Sequence, residues 1–211
     1  ELILAMVLGI GGLLAVTYGA AVAGSEWTWG TLKAAVARGE SRARYTIAGF
    51  VGVAIFAIIG LLLAFLVGVA GAAVGASIIG VSLDGMGDAG TLGRLPELFG
   101  RAGLAVSMNV GFGYAIATIA RSQLAGIGVG IGLFFAEGIA GIFLPDVIKW
   151  FPFASSSAVV SVADGAAAGM GGGGGFGATL DPNTAVLATL GWLVASVLVA
   201  ALWTERAEIG G

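Results

Sequence analysis

Thr46–Leu83 reads TIAGFVGVAIFAIIGLLLAFLVGVAGAAVGASIIGVSL, 38 consecutive residues without an Asp, Glu, Lys or Arg. About 20 helical residues cross a hydrocarbon core roughly 30 Å thick, so a run of this kind is a membrane span. Lipid offers the backbone no hydrogen bonds, and a helix is the form that meets them all internally. No polar turn divides the run into a hairpin. It reads as one span over about residues 46–69 with an apolar extension.

Four similar runs flank it. Leu2–Ala23, Ala102–Ala120 and Thr184–Trp203 are uncharged, and Ser122–Leu144 holds a single acid, Glu137. They give spans at about residues 2–23, 102–120, 122–144 and 184–203. Only the polar break Arg121-Ser122-Gln123 separates the third span from the fourth, which makes these two antiparallel neighbours. The composition agrees: 58% of the 211 residues are hydrophobic and 10% charged, too little polar surface to coat a soluble globule of this size. The expectation is an all-α, polytopic integral membrane protein that uses its 39 glycines where helices approach closely.

Charge sets the orientation. Lys33, Arg38, Arg42 and Arg44 crowd the segment between the first two spans, and the positive-inside bias places that segment in the cytoplasm. Arg121 and Arg206 then also face the cytoplasm, while Arg94, Arg101 and Lys149 lie outside. Reading Thr46–Leu83 as two spans would turn those last three inward, so charge alone leaves both topologies open. The missing polar turn favours the single span. Glu1 would then start outside, which implies a preceding helix and a complete unit of six spans. With no initiator Met and no basic n-region, the first run does not read as a signal peptide.

Several chemistries are excluded by residue type. The chain has neither Cys nor His, so disulfides, thiolate nucleophiles and the usual zinc sites are absent. No Ser-His, Cys-His or metal constellation exists for an enzyme. A net charge of -3, with the nine Lys and Arg not clustered as a nucleic-acid binder requires, implies no nucleic-acid partner. The glycine run Met170–Gly177 is not followed by Gly-Lys-Ser or Gly-Lys-Thr, so it reads as a linker and not as a phosphate cradle.

The segment Gly24–Arg42, GSEWTWGTLKAAVARGESR, holds the most information. Ser25 suits an N-cap, Glu26 the positive end of a helix dipole, and Gly39 a helix stop. Trp29, Leu32, Ala35 and Val36 recur at spacings of three and four, which predicts a short helix over about residues 25–38 with an apolar stripe. From the residues alone, an interfacial helix anchored by two Trp residues accounts for it equally well.

Glu26, Gly30-Thr31-Leu32-Lys33 and Ala37-Arg38-Gly39-Glu40-Ser41-Arg42 resemble the cytoplasmic loop of ABC type 2 transporter permeases. Ile119–Ala125 resembles that family's turn between consecutive spans. Leu144–Phe153 resembles its external helical element, and Trp203–Ile209 its charged exit after the last span. The match rests on the order and spacing of these stretches. Gly49 departs from it, standing where relatives often have Lys, and the first family span is missing. The resemblance implies a coupling helix that docks in a cleft of a separate nucleotide-binding subunit through Glu26, Trp27, Gly30, Thr31, Lys33, Arg38 and Arg42. It also implies a second permease copy or a homologous chain, and an exporter in a prokaryotic cell membrane. No Walker motif is present, so ATP and Mg would be bound by the partner and this chain carries no cofactor.

Polar groups inside the spans are costly and need reasons. Glu137 is read either as facing a translocation pathway or bonding another helix, through Asn109 or Gln123, or as a structural carboxyl near the outer boundary. Ser107, Asn109, Tyr114 and Thr118 can bond between helices, and Gly111 and Gly113 permit close packing. Beyond the fourth span, the external loop 145–183 predicts a piece at Asp146–Phe151, an interruption at Pro152, and a second piece at Ala154–Val162. Apart from a permease, the residues allow a membrane anchor or scaffold without transport, and a secondary transporter that uses Glu137.

Overall fold

The computed structural model describes residues 2–80, 89–160 and 180–207. The glycine run Met170–Gly177 lies outside them. The described residues form eight helices and no strand: α1 (Leu2–Thr28), α2 (Thr31–Ala37), α3 (Arg42–Ile79), α4 (Ala89–Ala120), α5 (Gln123–Phe143), α6 (Pro145–Ile148), α7 (Pro152–Ser157) and α8 (Pro182–Arg206). Five of them, α1, α3, α4, α5 and α8, are long and apolar enough to cross a membrane. The protein is an all-α, multi-pass membrane protein.

The helix at the centre is α4, which packs against α1, α3, α5, α7 and α8. Of its spanning stretch 72% is buried, against 17% for α3. Its buried side chains, among them Ala102, Ala105, Met108, Val110, Tyr114 and Ala117, occur on more than one face, as a helix surrounded by others requires. By contrast, α3 buries only Thr46, Val53, Ala54 and Leu61 and turns most of its 38 residues outward.

Glycine lets α1 reach α4 at backbone distance. A Cβ on Gly113 would overlap the carbonyl oxygen of Val16, and one on Gly19 would overlap the carbonyl oxygen of Val110. Val16 and Val110 are both fully buried, so each helix offers a glycine to the other's carbonyl. At each point a Cα–H stands where a side chain would otherwise begin, a contact worth a weak hydrogen bond besides its dispersion. Gly24 against the backbone of Gln123, and Gly126 against Ala117, continue the seam from α1 to α5 and from α5 to α4.

Several element bounds differ from the sequence-based expectation. The first span extends to Thr28, so residues 25–38 are not one helix: Ser25 and Glu26 belong to the end of α1, and the separate helix α2 covers only Thr31–Ala37. Ser25 Oγ donates to the Val22 carbonyl and Thr28 Oγ1 to the Gly24 carbonyl, which ties both side chains to their own helix. The chain breaks at Gly30, whose φ of 68° is left-handed. The span placed at 46–69 lies within the single helix α3, and that placed at 102–120 is the second part of α4. Pro152 does not interrupt a helix but starts one, at the first position of α7, where its missing N–H costs nothing.

The glycine seam makes two substitutions comparable. Gly113→Ala and Gly19→Ala drive a methyl into backbone and should each lower stability by about 1–3 kcal/mol. Gly60→Ala, with no atom within 4 Å of its Cβ, should leave stability unchanged or raise it by up to about 1 kcal/mol. Unfolding in detergent measures all three, and equal effects at Gly113 and Gly60 would count against backbone contact.

Candidate functional site

Two places gather polar side chains against the apolar bundle. The first is the basic end, where α1 turns through α2 into α3. Glu26 sits in the last turns of α1 and points inward: the Tyr114 hydroxyl of α4 donates to its Oε2 at 3.2 Å. Gly49 of α3 makes room for this pair, since a Cβ there would lie 2.8 Å from the Tyr114 hydroxyl and 3.2 Å from Glu26 Oε1. Tyr114 is 1% exposed and is packed edge-on by Phe50. One carboxylate thus ties the end of α1 to the central helix.

Around that pair the corner is tightly turned. Trp27 lies beneath the Arg121 guanidinium, 5.2 Å from the ring centroid, a cation–π contact between α1 and the α4–α5 turn. Arg121 itself is left-handed at φ 51°, and Ser122 caps α5 by accepting from the Ala125 N–H. Thr31 Oγ1 donates to the Glu26 carbonyl across the break at Gly30. Of α2, Leu32 and Ala35 are buried, while Lys33, Ala34 and Ala37 face outward, with Arg38 and the 77%-exposed Trp29 beside them.

The residues read as one docking set therefore divide. Thr31, Lys33 and Arg38 are exposed; Glu26 and Trp27 are half-buried and engaged within the chain. Gly30 forms the turn. Arg42 also faces inward: its Nη1 donates to the carbonyls of Ala207, at 2.6 Å, and Glu205, at 3.4 Å. Glu205 Oε2 in return accepts from the Ala43 N–H at 3.0 Å. A cation caps the C-terminus of α8 and a carboxylate meets the N-terminus of α3, each at the dipole end that favours it.

The second place lies at the opposite end. Glu137, 6% exposed, accepts from the backbone N–H groups of Phe153 and Ala154, both at 3.1 Å. Its partner is the first turn of α7, in place of the expected Asn109 or Gln123. Asn109 Oδ1 instead accepts from Ser156 Oγ at 3.4 Å, so Glu137 and Asn109 each hold α7. Phe153 is 1% exposed, with Phe112 and Phe134 edge-on to it at 5.4 and 5.2 Å. Nearby, the Trp192 indole donates to the Trp150 carbonyl at 2.8 Å, and Arg101 reaches Asn183 Oδ1 at 2.9 Å. Lys149, 2.9 Å from Asp146, holds that exposed carboxyl below the usual range.

No signal in residue type pointed to the amide donors of Phe153 and Ala154, because any residue carries them. Tyr114 was legible as a polar group able to bond between helices. Among the described residues, no three His, Cys, Asp or Glu side chains converge on a metal position. A crevice of about 460 Å³ between α1 and α3, over Val106 of α4, is lined by small and apolar residues with Tyr18 at its side.

The Glu26–Tyr114 bond is open to a double-mutant cycle. Tyr114→Phe leaves the half-buried carboxylate without its donor and should cost about 1–3 kcal/mol. Adding Glu26→Gln should show a coupling of about 0.5–3 kcal/mol. Strict additivity in unfolding measurements would mean the two side chains do not support each other.

A family model described as "Protein of unknown function (DUF2705)" matches residues 4–204. No curated protein and no solved structure matches the chain. With nearly the whole length matched, five spanning helices included, the chain belongs to the family described as Protein of unknown function (DUF2705).

Proposed function

We propose that this chain is the permease subunit of an ATP-binding-cassette exporter of type 2, driven by a separate nucleotide-binding subunit. The observation that carries the reading is the form of α2. It is a short helix anchored by Leu32 and Ala35 that turns Lys33 outward, with Trp29 and Arg38 exposed just beyond its two ends. A helix held on one side and free on the other suits docking in a partner's cleft. Leu32 and Ala35 pass its displacement into the bundle, and Glu26 ties the adjoining end of α1 to the central helix through Tyr114.

The likeness to type 2 permeases in the residues of this segment supports the same reading. Gly49, where such permeases often carry Lys, lies beside Glu26, and in this chain the Tyr114 phenol supplies the donor. The basic end then faces the cytoplasm, in keeping with Lys33, Arg38, Arg44 and Arg121. ATP and Mg belong to the partner. The nucleotide acts by binding one conformation better than another, which is all a ligand needs to drive a mechanical cycle. A second permease copy or a homologous chain completes the pathway in a prokaryotic cell membrane.

The reading is tested with the full protein and its co-purifying ATPase. Trp29→Ala with Lys33→Glu and Arg38→Glu should weaken association at least tenfold, about 1.4 kcal/mol or more, and remove the permease's effect on hydrolysis. Unchanged binding would overturn the assignment of α2. Association that persists without any influence on hydrolysis would instead identify a membrane scaffold.

A further inference from the structure

We infer that Glu137 is the positioning residue that holds α7 as a plug in the end of the bundle opposite α2, so that loss of its carboxylate lets α7 leave its seat. This goes beyond the transport reading and does not depend on it.

The case begins with the size of α7. Six residues, Pro152–Ser157, are far too few for a helix that stands alone. Five of the six, Pro152 through Ser156, are nevertheless buried. The helix is seated among α1, α4, α5 and α8, touching each of them. What surrounds it must supply its stability.

Three sets of contacts do so. Phe153 enters between Phe112 of α4 and Phe134 of α5. Ser156 bonds Asn109 of α4 at 3.4 Å, a long bond between neutral groups. Glu137 of α5 takes the third part, and it meets the need most specific to a helix start.

The first N–H groups of any helix lack partners within it. In α7, Pro152 has no N–H, and the Ser155 N–H reaches the Phe151 carbonyl at 2.8 Å. The two between them, on Phe153 and Ala154, both end on Glu137 Oε2. One carboxyl oxygen therefore satisfies both remaining donors of the first turn.

On α5, Glu137 shares its buried side with Gly126, Gly130, Phe134 and Gly141, so it is the one group there that can accept a hydrogen bond through its side chain. Without it two buried amides face apolar surroundings, whereas α7 moved outward can bond water. The stretch that follows Ser157 is anchored by Val159 and Val160, both buried in the main apolar core, and by the Val159 carbonyl, which accepts from Arg101 at 3.5 Å, so α7 would leave its seat by its first turn. Beneath α7 lies Asn109, 3% exposed, on the central helix and beside Gly12 of α1. Departure of the plug would open a path from the end of the bundle to that amide.

The absence of cysteine makes the test direct. Ser155→Cys places the only thiol on a fully buried position of α7. A charged, water-soluble maleimide reports its exposure in the purified detergent-solubilised chain. Val147→Cys, at a position 54% exposed, sets the fast reference, and Ala20→Cys, fully buried on α1 about two turns past Gly12 toward the basic end, reports the integrity of the bundle.

With Glu137 present, the thiol at 155 should react at least tenfold more slowly than that at 147. In the Glu137→Ala background it should accelerate at least tenfold while the thiol at 20 stays protected. Glu137→Gln, which keeps one carbonyl acceptor, should fall between. The proposal is overturned if the thiol at 155 already reacts as fast as that at 147. It is equally overturned if Glu137→Ala leaves the rate within twofold with the thiol at 20 protected. Should Glu137→Ala expose the thiols at 20 and 155 together, Glu137 supports the whole bundle and not α7, and the proposal fails in that way too.

Discussion

Contact between the backbones of α1 and α4 is the constraint on which the other packing rests. Gly19 and Gly113 each admit the opposite helix's carbonyl oxygen to a place where any other residue would put a side chain. With lipid on the outside, burial of apolar surface does not drive one helix onto another as it does in water, and close van der Waals packing takes its place. Once α1 is fixed on α4, its C-terminal end brings Gly24 onto Gln123 and so positions α5. The remaining helices fill the sides of α4 that this contact leaves free.

The polar groups of the bundle follow a second rule. Both acids drawn into it meet donors from another element, Glu26 the phenol of Tyr114 and Glu137 two amides of α7, and the exposed Glu205 meets the amide of Ala43 at the bundle's edge. Among the described residues, none of the three is matched to a basic side chain. Neutral donors avoid the need to bring a second charge into a medium that penalises both. The cation Arg42 is likewise met by two carbonyl oxygens at the end of α8. These bonds place sequence-distant elements against one another, as 163 residues separate Arg42 from Glu205.

How much of this was legible in the residues depends on the scale of the force that writes it. The five spans were plain because hydrocarbon acts on some twenty residues together. Helix ends were less so, because a charge marks where lipid stops and not where hydrogen bonding stops. Ser25 illustrates the difference: a hydroxyl can cap a new helix or bond back to its own, and the structure takes the second course. Arg42, read from its neighbours as part of an exposed docking set, is turned inward by the end of α8, some 160 residues away. For Glu137 the need for a partner could be read from its cost in lipid, but the identity of that partner could not. Backbone amides leave no mark in a sequence beyond the proline that begins the turn.

The length of α3 has a bearing on the membrane itself. Its 38 residues make a helix about 57 Å long, against about 30 Å for the hydrocarbon core of an average bilayer. Without its charged first turn, the uncharged part of α3, Thr46–Ile79, is still about 51 Å long and exceeds that core by about 21 Å, and the helix is little covered by the rest of the chain. A mismatch of this sign is relieved by tilt or by local thickening of lipid, at a cost of fractions of a kcal/mol per Å. The stability of the protein is thereby coupled to the acyl-chain length of its host membrane, with thicker bilayers easing the strain and thinner ones increasing it.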